Sequence, residues 1–133
     1  MAANETRVHF RPGAQITGKA TADVLAKRFV TISAGRNALN GENVPIKPAV
    51  ANAWALGVPA VDTVTGKTVA VYAGSGYQLR VQCGAAIDAS SGPVAVMIGT
   101  GGRVIPQTGT NVIVGYALST TSAADQDVEV RLV

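Results

Sequence analysis

From Arg28 to its end the sequence repeats one pattern: a short β-branched or apolar run, a turn of Gly, Ser, Thr or Asn, and a second such run. Leu56 to Val61 leads through the turn Asp62 to Thr68 into Val69 to Tyr72. Val114 to Leu118 leads through Ser119 to Asp127 into Val128 to Leu132. Both read as β-hairpins. Turn signals that return about every eight to twelve residues mark a sandwich or a small barrel. The expected fold is therefore all-β, a small β-barrel or β-sandwich built from hairpins, with an extended N-terminal arm and at most one short helix.

Composition supports thin sheets. Gly occurs 15 times in 133 residues and aromatics make up only 5%, so Val, Ile, Leu and Ala must fill most of the core. The length suits one domain, divided as an arm over residues 1–15 and a single β-domain over 16–133. Charged residues are 14% and mean hydropathy is +0.26, which predicts apolar surface that meets a partner. Residues 1–50 carry seven basic and three acidic side chains and the remainder four and five, so the positive charge sits in the first part. With no Lys/Arg run and few aromatics, nucleic acid is not the expected partner.

Further elements follow from local pattern. Thr21 to Arg28 is the best helix candidate, with Thr21 as N-cap and Val24, Leu25 and Arg28 at helical spacing; a strand is the other reading. Phe29 to Ile32 alternates as a strand and leads into a Gly/Asn loop over Ser33 to Asn43. Val44 to Pro48 carries two prolines, which suits an edge or extended segment and excludes a central strand. Tyr77 to Cys83, Val94 to Ile98 and Arg103 to Ile105 read as strands, and Gly99 to Gly102 as a turn.

Reactive clusters are missing from the sequence. Cys83 is the sole cysteine, alternates with Leu79 and Val81, and is expected as a buried strand residue in a chain kept in a reducing compartment. His9 is the only histidine, so no base stands ready for a nucleophile. Thr65 to Thr68 ends like a phosphate loop, but Val61 stands where such a loop needs glycine, and the setting is a hairpin. Asp125, Asp127 and Glu129 alternate and are expected on a solvated face rather than around a cation. No enzyme, cofactor or metal is predicted. No membrane partner is expected either, since no apolar stretch opens or crosses the sequence and the chain reads as soluble and intracellular. Trp54, the only tryptophan, is expected as a core or interface anchor.

Phe10-Arg-Pro-Gly13 before an apolar strand, Arg28-Phe-Val30, Gly57-Val-Pro-Ala60, Gly115-Tyr-Ala117 and the closing Val128 to Leu132 resemble the layout of a family. That family is the small capsid decoration, or cement, proteins of tailed bacteriophages, and the resemblance covers about residues 10–133. It implies a homotrimer on the outer surface of the virion capsid, at three-fold and quasi-three-fold positions. There it would clamp major capsid protein subunits together after being made in the host cytoplasm. Within the arm, Arg7, Phe10 and Arg11 are expected as the capsid contacts, Phe10 through burial and the arginines through coat carboxylates. The alternatives are a small ligand- or carbohydrate-binding β-module, or another head or tail component.

Overall fold

The computed structural model describes residues 4–10, 15–34 and 43–133. Their strands are β1 (Val8–Phe10), β2 (Ile16–Ala20), β3 (Val30–Ile32), β4 (Val44–Pro48), β5 (Val58–Pro59), β6 (Thr68–Tyr72), β7 (Gln78–Gln82), β8 (Val94–Ile98), β9 (Val104–Pro106), β10 (Gly115–Ala117) and β11 (Asp127–Leu132). The fold is all-β, as expected from the hairpin pattern, and a single 3-10 turn, Thr100–Gly102, is the only helical element among the described residues.

Two sheets are formed. One runs β1-β7-β11-β10-β8-β9 and the other β3-β4-β2-β6-β5. Both hairpins read from the sequence form, β5 with β6 and β10 with β11. Strict alternation sets their faces: Val128, Val130 and Leu132 are buried, while Asp127 and Arg131 are exposed and Glu129 is half-buried between them. Leu79, Val81, Val96, Ile98, Val104, Val128 and Val130 build the larger core, and Cys83, with no exposed surface, lies within it. Ala20, Val24, Val30, Ile46, Val69 and Val71 build a smaller core under the second sheet. Full burial of each such side chain contributes about 1.5–3 kcal/mol, so branched aliphatics hold the fold without many aromatics.

The β9 margin of the first sheet is closed by local pairing. Beyond β7, Cys83 pairs in parallel with Val104 of β9, and the Gly84 amide donates to the Val104 carbonyl at 2.7 Å. The first sheet thus curls back on itself toward a barrel. One margin of β7 is shared by three segments in turn: β1 opposite Gln78 and Leu79, the Lys27 carbonyl at the Gln82 amide, and β9 at Cys83.

Two expectations are corrected. Thr21 to Arg28 is not a helix. Val24 and Thr63 exchange backbone hydrogen bonds of 2.9 Å, Asp62 Oδ1 accepts from the Ala26 amide, and Lys27 has a φ of 66°. Eight residues are too few for an isolated helix to resist such pairing. Nor is the proline-bearing β4 excluded from the sheet interior: it lies between β3 and β2, parallel to β2. Each proline removes one donor, yet the acceptors remain in use. The Pro45 carbonyl takes the Ser33 amide at 2.9 Å and the Ile46 carbonyl takes the Thr21 amide at 2.8 Å. Of the expected loop Ser33 to Asn43, residues 35–42 lie outside the described residues.

Candidate functional site

The expected contact residues fall along the front of the chain. Residues 4–10 run across both sheets. The Thr6 amide donates to the Ala60 carbonyl at 2.8 Å, and the Thr6 hydroxyl donates to the Pro59 carbonyl at 2.6 Å, next to β5. Two residues on, Val8 pairs with Leu79 of β7. Thr6 is buried, whereas Arg7 between the two pairings is exposed and its carbonyl accepts the Arg80 amide at 2.9 Å. Phe10 stands opposite Gln78 after a register shift that follows Val8. Arg11 lies outside the described residues. Arg7 and Phe10 therefore share one sheet margin.

Trp54 is elsewhere. It lies in the connection between β4 and β5, with 53% of its surface exposed. It lines a shallow depression with Phe29, Leu56, Gly74, Ile113 and Val133, and no charged side chain takes part. Trp54 is thus not a core residue; half its ring meets solvent.

On the outward face of the first sheet one cross-strand row joins Ala95, Tyr116, Arg131 and Gln78 in register across four strands. Arg131 Nη1 donates to Gln78 Oε1 at 3.2 Å, and Gln78 Nε2 donates to Glu129 Oε1 at 2.8 Å. Sequence reasoning did not single out Arg80 or Arg131, although alternation in Gln78–Gln82 and Asp127–Leu132 marks the even positions of one strand and the odd positions of the other as outward.

The features weighed for chemistry are occupied structurally. Cys83 Sγ donates to the Ala123 carbonyl at 3.2 Å inside the core. In the Thr65 to Thr68 turn the Thr65 amide and hydroxyl donate to Asp23 Oδ1, and the Gly66 amide donates to the Ala20 carbonyl. No row of free amides is left there to cradle a phosphate. The Thr65 bonds hold the Asp23 carboxyl below its ordinary pKa, the amide contributing most. Asp88 is lowered likewise by the side chain and amide of Ser90. Asp125 pairs with Arg103 and Asp127 with Lys27, so these carboxylates do not converge. Among the described residues no group of three potential ligands gathers around a metal position, and no helix is long and apolar enough to cross a membrane.

With the geometry in hand, comparison with known families is decisive. The family described as phage cement protein matches residues 10–132. The chain belongs to the phage cement protein family. It is a structural protein of the phage head, and the family's role is structural rather than enzymatic. Among solved structures, the N base of the head fiber gp8.5 of bacteriophage phi29 superposes with a TM-score of 0.69 at 22% identity, over 90% of this chain and 93% of that one. At that identity the likeness is one of fold. No protein of curated function matches the chain.

Proposed function

We propose that the protein binds the outside of the head as a homotrimer at three-fold and quasi-three-fold positions and stabilises contacts between major coat subunits. The observation that carries this reading is the cement-family match across residues 10–132. Physical features support it. A chain with few charged residues, carrying exposed Trp54, Val133 and Val112, gains by burying that surface against copies of itself. Three weak contacts joined in one trimer act at high effective concentration, so each copy needs only a modest hold on the shell.

The front of the chain, residues 1–15, supplies the coat contacts in this proposal, with Arg7, Phe10 and Arg11 as the contacting side chains and Trp54 as the anchor between copies. No nucleic acid or membrane takes part. One second reading is favoured by the fold shared with the phi29 head fiber base: a platform on the head that carries another component.

The test uses heads purified without the protein. Adding it back should restore occupancy at trimer stoichiometry and raise the temperature at which heads release DNA. Heads that stay bare, or a protein that sediments as a monomer both free and bound, would sink the proposal.

A further inference from the structure

We propose that the outward face of the first sheet, from Tyr116 to Arg7, is the docking surface for an acidic segment of the coat protein. This rests on the cement reading and extends the contact from the front segment onto the sheet.

Arg7 and Arg80 are neighbours across the strand pairing, because the carbonyl of one takes the amide of the other. Both are exposed. Neither side chain has an ion pair among the described residues, where the two pairs are Lys27 with Asp127 and Arg103 with Asp125. Like charges placed side by side on a sheet repel, so this pair is unfavourable until an anion arrives. Glu129, opposite Arg80 in register, bonds to Gln78 instead of closing an ion pair with Arg80, so it offsets only part of the positive charge. Counting Arg131, the face carries three basic side chains against Glu129 and Asp127, and Asp127 is already paired with Lys27.

The face also carries apolar side chains on β10 and just after it. Tyr116, 40% exposed, shares the row with Arg131, and Leu118, 38% exposed, donates its amide to the Glu129 carbonyl at 2.7 Å. A partner that meets both halves needs carboxylates for the guanidinium groups and an apolar side chain for Tyr116 and Leu118. A polypeptide segment with acidic and apolar residues supplies both. A phosphate backbone supplies only the first, and three cations on one face form no track along it.

The test measures binding to heads purified without the protein, using wild type, Arg80→Glu, and the double variant Arg80→Glu, Arg131→Glu. Arg80→Glu breaks no side-chain bond and so guards against misfolding of the double variant, with melting and sedimentation as controls. At about 50 mM salt, binding should fall on the order of tenfold for the single and a hundredfold for the double variant, and the gap should narrow as salt rises. Equal binding by all three overturns the docking face and leaves the cement reading standing. Loss of self-association with head binding intact assigns the face to a second copy, and DNA retention that Arg80→Glu abolishes assigns it to nucleic acid; either overturns the proposal. A wild type that leaves heads bare removes the cement reading, and this inference with it.

Discussion

The amide of Lys27 donates to Thr6 Oγ1 at 2.9 Å, tying the front of the chain to the connection between β2 and β3. The same hydroxyl donates to the Pro59 carbonyl, so one buried side chain serves three segments. Thr6→Val keeps the shape and leaves a donor and an acceptor unmet. It should destabilise by about 1–3 kcal/mol, read as a lower denaturant midpoint at unchanged slope. A midpoint equal to wild type would mean that water serves both groups. Removing residues 1–11 is a poor probe of head contacts for the same reason, since it also removes this tie.

Gly102 and its neighbour Gly101 have φ values of 78° and 73°, but their surroundings differ. A Cβ on Gly102 would stand 2.7 Å from the Phe29 carbonyl oxygen, whereas one on Gly101 would meet only the guanidinium ends of Arg28 at 3.3 Å and Arg103 at 3.9 Å. Gly101→Ala should cost about 1 kcal/mol from backbone conformation alone, and Gly102→Ala about 2 kcal/mol or more. Thermal unfolding of the two variants checks the order; equal losses would show that the Phe29 approach relaxes freely.

Asp23 has a lowered pKa in the folded state because the Thr65 amide and hydroxyl donate to its carboxylate. A depressed carboxyl contributes stability above its unfolded pKa and loses it as pH falls through the folded value. Melting temperature should therefore drop below about pH 4, and Asp23→Asn should flatten that limb while lowering stability near neutrality. Parallel acid limbs in the two proteins would assign the drop to other groups, Asp88 first.

Trp54 is half in water, so its removal should cost the fold little and self-association more. Trp54→Ser is expected to unfold within about 1 kcal/mol of wild type. In sedimentation the proposed trimer should dissociate in this variant at protein concentrations on the order of tenfold to a hundredfold higher than in wild type. An unchanged association constant would take Trp54 out of the interface.

What was legible in the sequence was local. The hairpins ending in Val69–Tyr72 and Val128–Leu132 show themselves because their partners lie one turn away and period-two alternation exposes which side is buried. The interior place of Val44–Pro48 was hidden, since its parallel partner Ile16–Ala20 is reached only through a long connection and the prolines argue the other way. Thr21–Arg28 shows helical spacing by accident of composition, and pairing of Val24 with Thr63 overrides it. The outward positions of Arg80, Tyr116 and Arg131 follow from alternation, but that Tyr116 and Arg131 lie in one row, with Arg80 on the same face beside Arg7, depends on the register of four strands. Register over such distances is set by tertiary packing, which no short window of residues records.

The thiol of Cys83 has no exposed surface, and the chain has no other. Copies held side by side, as the proposed trimer would hold them, are therefore protected from oxidative cross-linking through sulfur for as long as the barrel stays shut. A thiol reagent becomes a clock for its opening, because the rate of labelling in the native protein reads the population of molecules in which the interior has come apart.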